Sequence, residues 1–197
     1  MDMKSFINAV IIICILVAAA VLARAFAQAK ANNPVDTQES IKIAASDAPA
    51  RILIPSIGVD AAIQHVGTTS QGNIGVPTNF KDVAWYAKGV IPGHSGQAVM
   101  DGHYDDNFGR QAVFGRLAKT RVGDEVYIKT QGGTTLRFKV TGVEMLETDH
   151  IPAYRLFPPS PSADTPSTVV LITCAGRWVA LSKTYDKRVF VTATLAK

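Results

Sequence analysis

A cysteine outside the N-terminal apolar run is the residue of this chain best suited to nucleophilic chemistry. The chain has two cysteines: Cys14 lies inside an apolar run, and Cys174 lies far away in a segment of mixed polarity. A cysteine attacks carbonyl carbons as its thiolate, which needs partial exposure and a nearby cation or base. The alternative is that Cys174 packs as a small buried hydrophobe, and its residue type alone does not decide between the two. A disulfide scaffold is excluded, because pairing these cysteines would draw the domain into the membrane interior.

One of the histidines has the same sequence setting as Cys174. The four histidines are His65, His94, His103 and His150. His103 follows the predicted strand Gln97–Gly102 immediately, and Cys174 is the last residue of the predicted strand Thr168–Cys174. A single histidine is more often structural or solvated than catalytic, since pairing in space cannot be read from sequence. The shared position at a strand end favours His103 as the partner of Cys174.

Two arginines follow Cys174 and are candidates for stabilising an oxyanion. Attack on an amide builds negative charge on the carbonyl oxygen, which a guanidinium can neutralise. Arg188 begins the predicted strand Arg188–Leu195, so a return loop would bring it beside the thiol. Arg177 is nearer in sequence but falls in a predicted flexible loop. The alternative for either residue is a surface salt bridge.

Sequence patterns for other chemistries are incomplete or absent. Asp101, His103, Asp105 and Asp106 have the spacing of a calcium loop, but Asp106 and Ala112 stand where that loop requires Gly and Glu. The closely spaced His or Cys ligands of a zinc site do not occur. A Gly-x-Ser-x-Gly motif, a phosphate loop and a dinucleotide fingerprint are also missing. We expect no metal ion and no cofactor.

The elements that must position these residues are predicted to be β-strands. Short β-prone runs alternate with glycine-rich turns from Arg51 onward, as in a barrel or a sandwich. An unbroken apolar run, Val169–Ile172, is typical of a strand covered on both faces, and it leads directly to Cys174. Helical periodicity is convincing only over Val113–Ala118. The predicted strands are Arg51–Ile54, Ala61–Val66, Val83–Tyr86, Gln97–Gly102, Glu125–Thr130, Thr135–Val143, Thr168–Cys174 and Arg188–Leu195.

The N-terminal segment has the composition of a membrane anchor. Phe6–Ala23 is just long enough to cross a hydrocarbon core of ~30 Å as a helix. A cleaved signal peptide is the alternative, with Ala25–Ala27 as its cleavage site, but the run is longer than a usual signal core. Both interpretations place the rest of the chain outside the cytoplasm. We expect an anchor at 1–27, a flexible linker at 28–50 and a catalytic domain at 51–197.

The charge of the chain argues against nucleic acid as a partner. The formal net charge is +4, but the Lys and Arg residues are scattered and interrupted by acids. A basic stripe with interleaved aromatic residues, the usual sign of a nucleic-acid interface, is absent.

Three segments together resemble the catalytic motifs of the sortase family. Val170–Cys174 is similar to the Leu-x-Thr-Cys signature, Gly102-His103 to the segment with the catalytic histidine, and Lys187–Val191 to the arginine-bearing start of the last strand. The resemblance covers about three quarters of the chain and is greatest to class F, or the neighbouring classes D and E. Further matching segments are Arg51–Val59, Ala84–Tyr86, Pro92-Gly93, Val113–Leu117 and Val122–Val126.

The resemblance implies a fold and a mechanism. The fold would be a closed eight-stranded β-barrel with short helices, preceded by one transmembrane helix. Cys174 would attack a sorting signal of Leu-Pro-x-Thr-Gly type and form a thioester, with His103 as acid and base and Arg188 holding the signal and the oxyanion. Thr173 would help shape the signal pocket. An amine of a cell-wall precursor or a pilin lysine would then accept the surface protein at the outer side of the membrane.

Two alternatives remain open at this point. One is an extracytoplasmic thiol peptidase that only hydrolyses its substrate. The other is a membrane-tethered β-barrel without catalytic activity, in which Cys174 belongs to the core and the domain binds envelope ligands.

Overall fold

The computed structural model describes residues 46–196, which form a closed barrel of eight strands. The strands are β1 (Pro49–Ile54), β2 (Val59–Val66), β3 (Val83–Tyr86), β4 (Gly96–Gly102), β5 (Glu125–Thr130), β6 (Thr135–Glu147), β7 (Ser167–Val179) and β8 (Thr184–Leu195). Their order around the barrel is β1-β2-β3-β4-β7-β8-β6-β5. The predicted closed, eight-stranded all-β fold is therefore confirmed for this part of the chain.

The predicted membrane anchor and nearly all of the linker lie outside the described residues. Within residues 46–196, none of the helices is both long and apolar enough to cross a bilayer.

Helices are short and lie in the connections between strands. The α-helix α1 covers Ala153–Leu156, and 3-10 turns cover Pro55–Ile57, Leu117–Lys119 and Thr148–His150. The helix expected over Val113–Ala118 is reduced to turns followed by one of these 3-10 segments. The N–H groups of Gly115, Leu117 and Lys119 donate to carbonyls three residues earlier, at 3.0, 2.9 and 2.9 Å, which is the bonding of turns and of a 3-10 helix. The Val113 N–H donates to the Phe80 carbonyl and the Phe114 N–H to the His103 carbonyl, so both amides pin this segment to its neighbours.

Two parallel pairings decide which strand ends meet. β2 pairs with β3 in parallel, and β4 pairs with β7 in parallel, whereas the other neighbours in the barrel are antiparallel. Parallel strands need a long crossover, which here is the segment 103–166 between β4 and β7. The C-terminal end of β4 consequently lies beside residues 173–174 in the middle of β7.

Strand β7 is buried on both faces. Val169 and Leu171 pack in the main core, while Val170 and Ile172 pack with Val99 and Phe190 in a second apolar cluster. Because alternate residues of a strand point to opposite faces, the second cluster lies on the outer face of β4, β7 and β8. The prediction that Val169–Ile172 is covered on both sides is confirmed.

Strand β7 continues beyond the thiol, contrary to the sequence prediction. Cys174 is not the end of the strand, because β7 runs on to Val179, and Arg177 lies within β7 instead of in a loop. Gly176, in the predicted loop before Arg177, has a φ of 84° at a register shift between Ala175 and Trp178. A glycine with positive φ can be absorbed as a β-bulge, so the strand bends without ending. Similarly, β8 begins at Thr184, earlier than the predicted Arg188.

Candidate active site

The cysteine thiol lies on the outer face of the barrel, opposite an arginine. Cys174 is partly buried in β7 and its thiol is unpaired. In the antiparallel β7–β8 register, the Cα partner of Cys174 is Arg188. Directly opposed residues of antiparallel strands project from the same face, with Cβ atoms about 4.5–5.5 Å apart. The structure thus brings together Cys174 and the predicted oxyanion residue.

The predicted histidine reaches the same place from the other side of β7. Asp101 of β4 is in register with Ile172 of β7. His103 and Cys174 each lie two residues beyond this pair on their own segments, so they occupy corresponding positions on neighbouring segments. The hydroxyl of Thr173 donates to the Gly102 carbonyl at 2.7 Å and ties the two segments together just before these positions.

The ring of His103 is held by the segment that follows β2. Its Nε2 lies 3.1 Å from the Pro77 carbonyl oxygen, and its ring centroid lies 5.0 Å from that of Phe80. Because a carbonyl can only accept, Nε2 is the donor in this hydrogen bond and carries the proton in a neutral imidazole. That tautomer leaves Nδ1 as the ring nitrogen able to take up a proton.

Only glycine fits immediately before the histidine. A Cβ at Gly102 would lie 2.5 Å from the ring of Phe114, which is fully buried. Phe114 also donates its N–H to the His103 carbonyl at 3.0 Å. The Gly-His pair recognised in the sequence therefore has a packing cause: the histidine backbone rests on an aromatic ring that leaves no space for a side chain at Gly102.

The guanidinium of Arg188 is held entirely by neutral oxygens. Its Nη1 donates to Thr148 Oγ1 at 3.1 Å and to the carbonyls of Tyr185 and Lys187 at 2.9 Å each, and its Nη2 donates to Thr184 Oγ1 at 2.7 Å. None of these acceptors cancels its positive charge. The charge of Arg188 is thus fixed in position and remains effective at the thiol.

The other candidate arginine is directed elsewhere. Arg177 has a side chain that is 92% exposed, with Nε 3.5 Å from the carboxylate of Asp186. Its backbone N–H also donates to Asp186 Oδ1 at 2.8 Å. Arg177 therefore stabilises the bulge of β7, and of the two arginines Arg188 is the one placed opposite Cys174.

The surroundings of the thiol favour its neutral form at rest. Burial raises the pKa of the Cys174 thiol; the nearby Arg188 cation opposes this effect, and the Asp101 and Asp105 carboxylates add to it. Desolvation disfavours a thiolate in the same way as any buried anion. The thiol consequently needs a proton acceptor and a bound substrate before it can react quickly.

A carboxylate that the sequence suggests only as part of an incomplete calcium loop lies next to the site. Burial raises the pKa of Asp101 from 3.8 to about 7, against the opposing effect of the Arg188 cation. Asp101 belongs to β4 and precedes His103 by two residues, so it projects from the same sheet face as Val99 of the outer cluster. Strand alternation read backward from His103 is the signal that would have identified it.

The remaining histidines are used elsewhere. His65 lies with Nε2 2.7 Å from the Pro49 carbonyl and packs edge-on against Trp85. His94 and His150 have exposed side chains that lie 3.8 and 3.5 Å from aspartate carboxylates. His103 is thus the one histidine among residues 46–196 that the β4–β7 pairing places beside the thiol.

One surface group has atoms spaced for a metal ion. Within the described part of the chain, ligand atoms of Glu147, Asp149 and His150 lie within 4.8 Å of one another. All three residues are exposed, and Glu147 lies 3.8 Å from the ammonium of Lys187. Exposed acidic groups of this kind are common without a metal, and we assign none here.

The comparisons with known proteins agree with this geometry. A family model described as the Sortase domain matches residues 52–196. No curated protein sequence matches the chain. Sortase C-1 from Actinomyces oris is 27% identical, with 75% of this chain and 73% of that chain covered and a TM-score of 0.57.

Two further solved structures share the fold at lower identity. The lid mutant of sortase A from Corynebacterium diphtheriae is 22% identical, covering 76% of this chain and 70% of that chain with a TM-score of 0.57. Sortase C from Clostridium perfringens SM101 is 20% identical, covering 77% and 72% with a TM-score of 0.53. Since the family match runs from within β1 to the end of β8 and covers more than half of the chain, this chain belongs to the sortase family.

Proposed function

We propose that this protein is a membrane-anchored sortase, most similar to class F, that joins surface proteins to an amine outside the cytoplasm. The observation that carries the proposal is the register that sets Cys174 opposite Arg188, with His103 at the end of the neighbouring strand. Acyl transfer through a thioester requires a nucleophile, a group that carries protons and a fixed cation, and these three groups lie on neighbouring segments here.

In the first half-reaction, Cys174 is the nucleophile. Its sulfur attacks the carbonyl carbon of the scissile Thr-Gly bond in a Leu-Pro-x-Thr-Gly-like signal, forming a C–S bond and a tetrahedral oxyanion. Arg188 stabilises the negative oxygen and holds the signal. When the C–N bond breaks, His103 donates a proton to the departing amine, and a thioester acyl-enzyme remains.

Because the pKa of Cys174 is raised, this step must include the removal of a proton from the thiol. The resting thiol is protonated, so its proton must pass to a base when the signal binds. The unprotonated Nδ1 of His103 is the acceptor that the Pro77 hydrogen bond leaves open. The Arg188 charge lowers the cost of forming the thiolate, and the imidazolium produced is then the acid that the leaving amine needs.

In the second half-reaction, an incoming amine displaces the sulfur. The amine nitrogen attacks the thioester carbonyl carbon and gives a proton to His103, and the C–S bond breaks with its electron pair returning to sulfur. The product is an amide between the surface protein and a cell-wall precursor or a pilin lysine. When no amine is present, water resolves the thioester slowly and the outcome is hydrolysis. No cofactor and no nucleic acid take part.

For Thr173 we propose a positioning role instead of a direct contact with the signal. Its side chain is 1% exposed, and its hydroxyl already donates to the Gly102 carbonyl. This hydrogen bond joins the residue before Cys174 to the residue before His103. Thr173 would therefore fix the spacing between the nucleophile and the imidazole.

The proposal is tested by separating transfer from hydrolysis. The full chain in detergent or liposomes is incubated with a panel of Leu-Pro-x-Thr-Gly peptides, with and without an amine acceptor, and the products are identified by mass. We expect a cleaved peptide joined to the acceptor, and slow hydrolysis without it. Hydrolysis at one rate in both samples would identify a thiol peptidase. A thiol inert to alkylation, together with no product, would identify a binding module.

A further inference from the structure

We propose that four side chains beside the thiol, Tyr104, Asp105, Trp178 and Tyr185, bind the ammonium group of the incoming acceptor. We call this group the aromatic–carboxylate cluster. The inference rests on the proposed transpeptidation and adds the location and chemistry of the acceptor site. The acceptor class it selects is a primary ammonium carried by a peptide.

The cluster is assembled from two parts of the chain. Tyr104 and Asp105 directly follow His103, while Trp178 and Tyr185 face each other across the β7–β8 hairpin. The Tyr185 ring lies 5.4 Å from that of Tyr104 and 5.4 Å from that of Trp178, edge-on in both cases. The Tyr185 hydroxyl donates to a carboxylate oxygen of Asp105 and closes the cluster.

The cluster lies within electrostatic reach of the sulfur. The Asp105 charge raises the pKa of Cys174, and the thiol contributes in turn to a Tyr185 pKa raised to about 12, although the hydrogen bond to Asp105 is its main cause. Along the chain, Asp105 is two residues from His103. An amine bound at the cluster would therefore lie beside both the thioester carbon and the imidazole that must take its proton.

The chemistry of the cluster matches an ammonium ion. Aromatic faces attract a cation, and a carboxylate forms charge-assisted hydrogen bonds with N–H donors. Trp178 is 57% exposed, so its indole can accept a ligand against it. Asp105 retains acceptor sites besides the one used by the Tyr185 hydroxyl, since an ionised carboxylate has about four lone-pair sites.

The Asp105 carboxylate is not neutralised by a basic residue. Among residues 46–196, no Lys or Arg nitrogen lies within 4 Å of it, whereas neighbouring Asp106 bonds Arg110 Nε at 2.8 Å and Asp186 of the same hairpin lies 3.5 Å from Arg177. A purely structural role for the cluster would not need an uncompensated charge next to a nucleophilic thiol, where it makes thiolate formation harder. A cationic ligand gives that charge a function.

The protons balance in this arrangement. A lysine side chain has a pKa near 10.4 and reaches the site as ammonium, so it must lose one proton before its nitrogen can attack. His103 Nδ1 takes that proton, and the neutral amine then attacks the thioester carbonyl carbon. The second proton, which the nitrogen loses as the amide forms, passes to the departing Cys174 sulfur and restores the resting thiol. A lysine side chain and the terminal amine of a cell-wall precursor peptide share this chemistry, and the experiment separates them.

Binding is measured without turnover in the full-length Cys174→Ala variant. The chain has two tryptophans, and the indole N–H signals of Trp178 and Trp85 are followed by NMR. Trp85 is fully buried with its Nε1 bonded to the Val90 carbonyl at 3.0 Å, so it serves as an internal reference. The probes are Nα-acetyl-lysine amide, triglycine amide and the neutral Nα,Nε-diacetyl-lysine amide.

We expect the charged probes to shift the Trp178 signal in a saturable way and the neutral probe to leave it unchanged. Preference for the lysine probe or for the triglycine probe identifies the source of the amine. Asp105→Asn, which is nearly isosteric, should weaken binding about tenfold, since one charge-assisted contact is lost. Asp164→Asn, an exposed aspartate outside the site, is the matched control and should change nothing. Equal shifts with the neutral probe, or unchanged affinity in Asp105→Asn, would overturn the proposal.

A second readout uses the active enzyme. For the Asp105→Asn and Trp178→Ala variants, the ratio of amine-captured to hydrolysed product should fall several-fold, while Asp164→Asn keeps the wild-type ratio. The ratio is independent of the acylation rate, which the altered pKa of Cys174 would affect. Transfer and hydrolysis falling in equal proportion would contradict an acceptor site. If no peptide is cleaved at all, the proposed transpeptidation fails, and the NMR titration still decides whether the cluster binds ammonium.

Discussion

The inner face of the sheet formed by β4, β7 and β8 packs in the core, whereas its outer face carries the candidate active site. The inner face of β7 presents Val169 and Leu171 to the main core, both fully buried. The outer face is apolar at Val170 and Ile172 and then changes to a thiol at Cys174, opposite Arg188. Because strand alternation separates the two sets, substitutions on the inner face should mainly affect stability, and those at the outer edge should mainly affect chemistry.

The largest contrast is expected between Cys174→Ala and Leu171→Ala. Loss of the nucleophile should reduce transfer by more than about 10³-fold with an unchanged Tm. Loss of the buried leucine should lower the free energy of unfolding by about 2–5 kcal/mol, because a cavity remains in a packed core. Peptide transfer assays and denaturant unfolding measure the two effects. A strongly destabilised Cys174→Ala variant would show that the thiol belongs to the core and would remove the distinction between the faces.

The next contrast is between the two arginines of the β7–β8 hairpin. Arg188→Ala should reduce transfer about 10²-fold, as expected for removal of an oxyanion donor. It should also slow alkylation of the thiol near pH 8, because the Arg188 cation lowers the pKa of Cys174. Arg177→Ala, which removes an exposed side chain paired with Asp186, should leave both rates within about twofold. If Arg188→Ala and Arg177→Ala reduced transfer equally, the assignment of Arg188 as the cation opposite Cys174 would be contradicted.

The next prediction concerns Gly102, whose contact with the buried Phe114 ring positions His103. Gly102→Ala would place a Cβ 2.5 Å from the Phe114 ring, so we expect a loss of about 1–3 kcal/mol in unfolding free energy and a displaced His103. Gly142→Ala in β6 is the control, since a Cβ there would meet no atom within 4 Å. Thermal unfolding and the rate of peptide cleavage are the measurements. Full activity of Gly102→Ala would mean that the ring of Phe114 does not position His103.

The smallest effect is a pH dependence at Asp101. Its carboxyl has a pKa of about 7 in the fold and 3.8 as its ordinary value, so the folded chain holds a proton that the unfolded chain loses. The contribution of this group to stability therefore falls as the pH rises from about 4 to about 7. Asp101→Asn does not titrate, and its stability relative to wild type should increase across that range by about 1–3 kcal/mol. Chemical unfolding at pH 5 and pH 8 measures the change; an equal difference at both values would exclude a buried carboxylate.

The sequence predicts the existence of all eight strands but not all of their ends. Short β-prone runs separated by turn residues predict β1 to β8, because burial imposes a pattern on each strand locally. The sequence predicts that β7 ends at Cys174, before a loop that contains Gly176, whereas Asp186 of β8 accepts from the Arg177 N–H and keeps the hairpin paired. Whether a glycine ends a strand or makes a bulge depends on the strand opposite, which a local pattern does not contain.

The site was predictable where a motif marks its residues and not where they meet through tertiary contacts. The family resemblance and a predicted strand end selected His103 and Cys174; the predicted end of β7 is wrong, but the structure places the two residues on adjacent segments. Asp105 lies just after β4, at the start of the long crossover, and Tyr185 lies in β8, on the far side of that crossover in the sequence. No spacing in the sequence therefore indicates the contact between them. The β4–β7 and β7–β8 pairings bring this cluster together, and only the three-dimensional structure reveals it.

The central claim is tested most directly by mass spectrometry of the enzyme itself. The full-length protein is mixed with a Leu-Pro-x-Thr-Gly peptide without an amine acceptor, quenched in acid and digested. We expect an adduct with the mass of the acyl fragment on Cys174, which disappears on addition of hydroxylamine and does not form in Cys174→Ala. Cleavage of the peptide with no adduct on Cys174, or an adduct on another residue, would contradict a thioester mechanism at this thiol.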